Sequence, residues 1–478
     1  MKIDIKKFPS EEKIFTWIKE LCRFPHRRTG SPESLEAMEY IRHEFEKIGL
    51  EDIHVEEAES ATYEIKEYSL NVNGADIPCF PINGTMHPEE FGQFKTGPEC
   101  RGAELVYLHE GREADFEGVD VKGKIVLCHC PWFDMDENEY AENWCSKEAF
   151  VYDPDKDGRE TLRKTESYSP NSRPYNYIMA QKKGAAGFVG ILDDYFRDGI
   201  SWNEDYSEIA EAEGCEKFAI PGMWIGTDAF GILREKLQDD EITADMELEL
   251  HYNRGRARDI MGYLPGMTDE LMIVHSHYDA VFTGAVQDAS GMSEVLALAE
   301  YFSKVPKEER RYTMIFAGLD GHYTDYAGHK LFVRKRLEEN RNIVCDMVIE
   351  HIGKEVGLGQ DNEPAVREEP ELRLLYVTDV DDNVNIVKDA IVRNDIKRTI
   401  LMPVSRKEPN NDLYVFSQDE VISDGYYSDI NGIPIISLLS PEMYLFHPMD
   451  TPDMIPVKEL VPVGVTYAEI IHTLFERK

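Results

Sequence analysis

A short apolar segment followed directly by a histidine and an aspartate constrains this chain more than any other feature. The segment 271–274 reads LMIV and predicts a buried strand, after which residues 275–291 read HSHYDAVFTGAVQDASG. Such a strand carries His277 and Asp279 to its C-terminal end, where open α/β sheets keep their binding sites. Asp288 follows in a small-residue turn that opens a predicted helix, so the three side chains suit a metal site. Taken alone, the pattern also fits a surface histidine and a helix-capping aspartate.

The same arrangement recurs further along the chain. The predicted strand 312–317 runs into GLDGHYTDYAGHKLF over 318–332, and the predicted strand 344–349 runs into Glu350. A late histidine, His447, lies within the segment LFHPMDTPDMI. Strands that alternate with helices indicate βαβ units, whose parallel strands end at one edge of a sheet. The polar residues that follow these strands are therefore expected to meet.

This order of motifs resembles the di-zinc aminopeptidase superfamily, which also contains glutamate carboxypeptidase, glutaminyl cyclase and the transferrin receptor ectodomain. The family has HxD, then DNASG, DGEExGLxGS and NxDMIG, and a late histidine followed by a Thr-Asp pair. The resemblance spans essentially the whole chain. It implies that His277 is the first metal ligand and Asp279 its orienting carboxylate. It also implies that Asp288 is the metal-bridging carboxylate, Glu350 the third-strand carboxylate and His447 the last metal ligand.

Two positions depart from the family pattern. Where the family has DGEE, this chain has Asp320, Gly321, His322 and Tyr323. The first Glu of the family is its general base, and the second binds a metal. A carboxylate about 4 Å from a cation contributes ~4 kcal/mol per charge pair at an effective dielectric of about 20. The loss of two carboxylates therefore predicts one tightly bound metal rather than two.

Both replacements retain a chemical use. With an ordinary pKa near 6.5, His322 can accept a proton from a metal-bound water at neutral pH. Tyr323 is a poor ligand unless a metal deprotonates it, and its hydroxyl can instead donate a hydrogen bond to a developing oxyanion. We therefore expect His322, Tyr323 and Asp279 to serve catalysis. Zinc is the expected ion, and iron or manganese would also suit this set of side chains.

The function predicted from these residues is a metal-dependent hydrolase of a peptide or other small amide. Two other classes stay open on the same scaffold: a catalytically inactive binding or assembly protein, and a single-metal transferase or lyase of the glutaminyl cyclase type. A decayed site has no physical reason to keep five polar groups converging on one pocket, because burying polar groups is costly. Their retention favours an enzyme.

The predicted fold class is α/β, with a mixed, mostly parallel sheet sandwiched by helices and an inserted β-rich domain. We expect N-terminal helices of the catalytic domain over 1–59, the insertion over 60–255, and the catalytic α/β domain over 256–478. Helix starts are expected at the N-cap residues Ser10 and Ser31.

The insertion resembles the protease-associated domain that some aminopeptidases carry. The resemblance rests on DVKGKIVLC over 120–128 and YIMAQKKGAAGFVGI over 177–191, where glycines punctuate β-branched runs. Between these segments, 131–176 is long, acidic and aromatic, and loops of that length usually serve binding or closure. We expect a lid over the active site there.

The charge of the chain restricts its partners. Lys plus Arg number 52 against 92 Asp plus Glu, a net charge of −40. Such a surface repels nucleic acid and anionic lipid, so neither is expected as a partner. The expected partner is a small-molecule or peptide substrate, and a homo-oligomer is compatible with the sequence. The N-terminal sequence has no apolar stretch of signal-peptide length and the eight cysteines form no framework, which predicts a cytoplasmic protein.

Overall fold

The computed structural model describes residues 3–86, 91–131, 133–136, 147–155, 163–166, 175–193, 196–202, 217–238, 241–358, 364–408, 421–440 and 444–477. The lid expected over 131–176 lies largely outside these residues and stays a prediction.

Helices and strands follow one another along the chain in the order that an α/β fold requires. The helices are α1 (Glu11–Leu21), α2 (Pro32–Ile48), α3 (Tyr175–Lys182), α4 (Thr227–Lys236), α5 (Gly291–Ser303), α6 (Ala327–Glu338), α7 (Asn383–Arg393), α8 (Tyr426–Ile430) and α9 (Val457–Phe475). The strands are β1 (Glu51–Val72), β2 (Ala75–Ile77), β3 (Phe80–Pro81), β4 (Gly92–Lys95), β5 (Ala103–Tyr107), β6 (Ile125–Pro131), β7 (Phe133–Asp136), β8 (Phe150–Tyr152), β9 (Arg163–Glu166), β10 (Gly187–Asp193), β11 (Gly222–Gly226), β12 (Thr243–Leu264), β13 (Leu271–His277), β14 (Thr313–Leu319), β15 (Ile343–Ile349), β16 (Lys354–Leu358), β17 (Pro364–Pro370), β18 (Arg373–Thr378), β19 (Thr399–Val404) and β20 (Ile435–Leu439).

The first two helices begin where their capping residues predict. The Ser10 side chain accepts a hydrogen bond from the backbone N–H of Lys13 and starts α1. Ser31 caps α2 in the same way, with Pro32 in the first turn. Gly49 ends α2 with φ of +88°, a conformation that glycine adopts without steric cost.

The central sheet is mixed and mostly parallel, which confirms the expected fold class. Strands β14, β13, β15 and β20 lie side by side in that order, and each pairs in parallel with the next. Strand β12 flanks β14 and runs antiparallel to it, whereas β18 pairs antiparallel with β20 and parallel with β19. Alternate residues of β13 face two different cores: Met272 and Val274 face one, and Leu271 and Ile273 face the other. The sheet is therefore covered by apolar side chains on both faces.

Two long strands connect this sheet to the β-rich part of the chain. Strands β1 and β12 pair antiparallel along nearly their whole length. Their register sets Glu59 opposite Arg256 and Ser60 opposite Gly255. The domain boundaries predicted after residue 59 and after residue 255 thus fall at neighbouring positions of one ladder. Beyond it, β5, β6, β10 and β11 form a parallel run with α4 packed against it. The identity of this part as a protease-associated domain stays a prediction.

The final helix packs on the sheet, as its apolar spacing predicts. Helix α9 contacts α1, α5 and α7. The hydroxyl of Tyr467 donates a hydrogen bond of 2.8 Å to the carbonyl oxygen of Val348 in β15. Neither this helix nor any other among the described residues is long and apolar enough to cross a membrane.

Helix α5 carries a buried carboxyl group at Glu294. Within the residues that the structure describes, neither of its side-chain oxygens has a hydrogen-bond partner. Helix α9 approaches Glu294 closely at Gly464, where the Cβ of any other residue would lie only 2.4 Å from Glu294 Oε2. Burial raises the pKa of Glu294 well above its usual value. Folding therefore favours the neutral form of this carboxyl group, whereas the unfolded chain carries it ionised at neutral pH.

Replacing Glu294 by Met is expected to stabilise the protein by ~1–3 kcal/mol at pH 7 to 8, the range for a buried polar group without a partner. The folded pKa lies above the unfolded value of about 4.3, so the wild type loses stability as pH rises above that value. The gain should be smallest at about pH 4, where only the cost of burying the neutral carboxyl group remains, and should increase with pH. Urea unfolding at several pH values measures it. A gain that does not change with pH would contradict this account.

Glu300 on the same helix provides the control of opposite sign. Burial alone would raise the pKa of Glu300, but hydrogen bonds from Lys13 and Lys304 outweigh burial and lower it. The Lys304 ammonium lies 2.9 Å from Glu300 Oε1. A folded pKa below the unfolded value means that this carboxylate stabilises the fold above about pH 4. Glu300→Gln should therefore reduce stability at neutral pH.

Candidate metal centre

The C-terminal ends of three neighbouring parallel strands form the candidate site. Strand β13 ends at His277, β14 leads into 320–323, and β15 leads into Glu350 and His351. The strands lie in the order β14, β13, β15, so these residues project from one edge of the sheet. The residues that follow the three strands therefore lie at one edge of the sheet, where the sequence predicts that they meet.

His277 presents one nitrogen to the site. Its Nδ1 lies 3.2 Å from Asp279 Oδ1 and 3.1 Å from the carbonyl oxygen of Asp279. Both of these oxygens accept hydrogen bonds, so Nδ1 carries the proton and Nε2 carries the lone pair. Nε2 is buried and has no hydrogen-bond partner among the described residues. Burial, assisted by the nearby His322, lowers the pKa of His277, which keeps the ring neutral.

Asp279 holds this ring in place. Its second oxygen, Oδ2, accepts a hydrogen bond of 3.1 Å from the hydroxyl of Thr29. Burial alone would raise the pKa of Asp279, but its hydrogen bond with His277 outweighs burial and lowers it. An ionised carboxylate beside Nδ1 is the partner that a metal-binding histidine commonly has.

His351 is a second candidate ligand, and the sequence analysis did not single it out. Its Nδ1 donates a hydrogen bond of 3.0 Å to the carbonyl oxygen of Ser440, which leaves the lone pair on Nε2. Nε2 is buried and without a hydrogen-bond partner in the part of the chain that the structure describes. Burial, with His277 and His322 nearby, lowers the pKa of His351 well below its usual range. The NxDMIG motif has Met at this position, and that departure was the available signal.

Glu350 completes the first group of candidate ligands. Ligand atoms of His277, Glu350 and His351 all lie within 4.8 Å of one another. Glu350 Oε1 accepts a hydrogen bond of 3.0 Å from the backbone N–H of Asp424. Burial, with the carboxylates of Asp424 and Asp288 nearby, raises the pKa of Glu350 well above its usual range. A divalent cation at this point would offset that crowding of negative charge.

Asp288 contacts the backbone of His351. Its Oδ1 accepts hydrogen bonds from the backbone N–H groups of Gly291 at 2.8 Å and of His351 at 3.3 Å. Its Oδ2 accepts a hydrogen bond from the hydroxyl of Ser276. Burial raises the pKa of Asp288 to about 7. In this arrangement Asp288 fixes the backbone of His351, and its metal-bridging role stays a prediction.

His322 stacks on His277. The two ring centroids lie 4.1 Å apart with planes inclined by 16°. His322 Nδ1 lies 2.9 Å from Asp424 Oδ1, and His329 Nε2 lies 2.7 Å from Asp424 Oδ2. Burial alone would raise the pKa of Asp424, but His329 and His322 outweigh it and hold that pKa well below its usual range. Asp424 therefore orients His322 as an ionised carboxylate.

A second group of candidate ligands shares His277 with the first. Ligand atoms of His277, His322 and Asp424 also lie within 4.8 Å of one another. In this group, however, His322 and Asp424 already contact each other through Nδ1 and Oδ1. Neither Asp424 nor His329 was expected from the sequence. No motif marks the segment that contains Asp424, and the resemblance assigns no role to His329.

Tyr323 lies beside both histidine rings. Its ring centroid is 4.8 Å from that of His322 and 6.0 Å from that of His277. The backbone N–H of Tyr323 lies 3.5 Å from Asp279 Oδ2. The side chain is buried, so its hydroxyl is shielded from solvent.

His447 is occupied by other partners. Its Nε2 lies 3.0 Å from Asp198 Oδ2, and its ring stacks on Phe196 with centroids 4.2 Å apart. Its Nδ1 accepts a hydrogen bond of 3.0 Å from the backbone N–H of Met449. Among the described residues, neither group of candidate ligands includes His447 or Asp288. The role of His447 as a metal ligand therefore stays a prediction from the resemblance.

The donor set of the first group fits a metal ion. Two neutral imidazole nitrogens and one carboxylate match catalytic zinc sites, which keep a fourth position for water or substrate. The same set also suits non-haem iron. The buried Nε2 atoms of His277 and His351 support this fit directly, because buried lone pairs without a hydrogen bond are costly unless a cation uses them.

Comparison with known proteins supports this interpretation. Residues 259–355 match the model of Peptidase family M28. The chain is similar in structure to BSAP, a zinc aminopeptidase from Bacillus subtilis, with a TM-score of 0.61 and 18% identity over 98% of this chain and 97% of that one. It is also similar to a Peptidase M28 precursor from Shewanella amazonensis SB2B (TM-score 0.66, 16% identity, 97% of this chain and 93% of that one). No curated protein matches the chain significantly.

A third similar structure is an aminopeptidase from Aneurinibacillus sp. strain AM-1, with a TM-score of 0.58 and 18% identity over 98% of this chain and 93% of that one. Identities this low establish a shared fold. The family match adds support for a metal-dependent, peptidase-like function in the part of the chain that carries the candidate site.

Proposed function

We infer that this chain, as a member of the zinc-peptidase-like superfamily, hydrolyses a peptide or other small amide. The metal for this reaction would be held by His277, Glu350 and His351. One observation carries the inference. The Nε2 atoms of both histidines are buried, carry the lone pair and have no hydrogen-bond partner among the described residues. One ligand atom of each of these two histidines and of Glu350 lie within 4.8 Å of one another.

A zinc ion bound there would polarise the scissile carbonyl and lower the pKa of a water molecule. The chain supplies the proton acceptor. Because Asp424 accepts the hydrogen bond from His322 Nδ1, the lone pair of that ring lies on Nε2, which takes the proton from the attacking water. His329 holds the other oxygen of Asp424 and so limits the rotation of the carboxylate. His322 replaces the family's glutamate in this role.

Tyr323 is assigned the electrophilic role. Its ring borders both histidines, and its hydroxyl is the donor for the negative charge that develops on the carbonyl oxygen. The proposed substrate is a peptide or small molecule, with iron or manganese as alternative metals. Nucleic acid and membranes are not proposed as partners. The cytoplasmic location and the homo-oligomer stay predictions from the sequence.

Purified protein is expected to contain about one equivalent of transition metal per chain, because both groups of candidate ligands include His277 and therefore compete for one ion. Metal is measured by elemental analysis after dialysis, and activity by mass spectrometry of a peptide library. Chelation by EDTA should abolish release of amino acids or shorter peptides, and zinc should restore it.

The other outcomes identify the alternatives. Two equivalents of metal would contradict the single-metal proposal. Tightly bound metal without any change in the library would favour a binding or assembly protein. Products that lose ammonia without gaining water would indicate a cyclase of the glutaminyl cyclase type. Hydrolysis that persists without metal would overturn the proposed mechanism.

A further inference from the structure

A large groove lies beside the candidate site and has an unusual charge for this molecule. Its volume is about 1010 Å³, which is enough for several residues of a peptide. Five cationic side chains line it, against the three acids Glu57, Glu59 and Asp325. The cations are Arg254, Arg256, Arg258, Lys330 and Arg334. On a chain with a net charge of −40, this excess of positive charge is local to the groove.

Three of these cations form a regular row on β12. Arg254, Arg256 and Arg258 alternate with Gly255 and Ala257, so they project from the same face of the strand. Residues two apart on a strand repeat at roughly 7 Å. An extended peptide places alternate side chains at the same spacing. The row therefore matches an extended ligand with acidic side chains at every second position.

The positive charge of the arginine row is offset by a nearby carboxylate at one end more than at the other. Arg258 Nε lies 3.1 Å from Glu57 Oε1, and Arg256 Nε lies 3.7 Å from Glu57 Oε2. Arg254 lies opposite Ala61 in the strand register, and its guanidinium packs over the ring of Phe91 at 5.1 Å. The excess positive charge therefore lies toward Arg254.

Arg334 adds a further cation to the groove from the facing helix. It lies on α6, its side chain is exposed, and it lines the same groove as Arg254. An arginine forks its N–H groups toward two oxygens, so an exposed pair of arginines suits carboxylates.

The groove and the candidate metal centre lie on either side of one loop. The backbone N–H of Arg258 donates a hydrogen bond of 3.0 Å to Asp320 Oδ2, immediately before the loop that carries His322. The hydroxyl of Ser60 donates a hydrogen bond of 2.7 Å to Thr324 Oγ1 on the other side of that loop. A ligand that lies in the groove is thus separated from the metal centre by one loop.

We propose that this groove binds an acidic, extended segment of the substrate, so that the enzyme acts on peptides rich in Asp or Glu. The proposal rests on the proposed function, because a peptide bound in the groove is a substrate only if the chain is a hydrolase. Charge complementarity and the spacing of the arginine row carry the binding itself. A polynucleotide is the less favoured occupant, because the remaining surface of a chain with net charge −40 would repel it.

The test measures binding separately from hydrolysis. Three decapeptides, (Glu-Ala)5, (Gln-Ala)5 and (Lys-Ala)5, carry an N-terminal fluorescein and a C-terminal amide, and their binding to the metal-loaded protein is followed by fluorescence polarisation. The acidic peptide is expected to bind roughly tenfold more tightly than the glutamine peptide at low ionic strength. This preference should shrink when salt is raised to about 0.15 M, where the Debye length falls to about 8 Å.

Charge reversal locates the binding site. The double variant Arg254→Glu/Arg334→Glu should lose the preference for the acidic peptide. The matched control is Arg112→Glu/Arg234→Glu, which changes the net charge by the same amount at exposed positions outside the groove. The control should keep most of the preference.

Three outcomes would overturn the groove assignment. These outcomes are equal binding of the acidic and glutamine peptides, equal loss in both double variants, or retention in the groove variant. A single-stranded oligonucleotide that displaces the acidic peptide at lower concentration would replace the peptide as occupant. Selective binding without hydrolysis of any peptide would leave the groove assignment in place and contradict the proposed function. Hydrolysis without charge preference would do the reverse.

Discussion

His351→Met is expected to reduce the metal content of the purified protein well below one equivalent and to weaken metal binding by at least about 100-fold. Loss of a group that merely orients a ligand already costs 10- to 100-fold, and His351 contributes a ligand atom itself. Methionine keeps a side chain of similar reach but replaces the neutral imidazole nitrogen by a thioether, which is not among the usual ligands of zinc in proteins. Elemental analysis after dialysis and titration against a chromophoric chelator measure the change.

His447→Ala is the matched comparison. The structure gives His447 other partners, Asp198 and Phe196, so this variant should keep its metal. The resemblance to the aminopeptidase superfamily predicts the reverse, because it makes His447 the last ligand. Metal loss in His447→Ala together with full metal content in His351→Met would reject the ligand set proposed from the geometry. Circular dichroism and thermal melting establish that both variants fold.

His322→Gln is expected to keep the metal and to lose about 10² to 10⁴ in kcat, the usual contribution of a general base. Glutamine retains a hydrogen-bonding group near Asp424 but cannot accept a proton at neutral pH. The measurement is kcat on the best peptide from the library, with metal content determined on the same sample. Loss of metal along with activity would show that His322 is a ligand, as the second group of candidate residues allows.

The control for this variant breaks a similar contact elsewhere. His129 Nδ1 lies 2.8 Å from Asp193 Oδ2 in the β-rich part of the chain, away from the metal centre. His129→Gln removes a histidine–carboxylate contact of the same kind and should leave kcat near the wild-type value. A wild-type kcat in His322→Gln would leave His322 without the role proposed for it.

Local patterns in the sequence predict which residues begin helices and which side chains follow strands. Ser10 and Ser31 start α1 and α2 because a capping side chain satisfies N–H groups of its own first turn. His277 and Glu350 reach the same edge because each follows a buried strand, and parallel strands end together. These predictions need only contacts within a few residues and one rule of topology.

The position of Asp424 follows from contacts that no local pattern contains. It lies 74 residues after Glu350 in the chain, yet its backbone N–H donates a hydrogen bond to that carboxylate, and its side chain holds His322 and His329. A pairing across such a distance depends on how the strands are ordered in the sheet, which spacing along the chain does not encode.

Spacing and residue type were sufficient to place a histidine and carboxylate centre at the ends of three strands in this chain. They were not sufficient to choose its ligands. That choice depends on which ring nitrogen remains without a hydrogen-bond partner, and in His351 it follows from the Ser440 carbonyl oxygen that binds Nδ1. In His447 the nitrogens meet Asp198 and the backbone of Met449 instead. The two positions carry the same type of side chain. Its partners in the folded chain decide whether a lone pair is left to bind a metal.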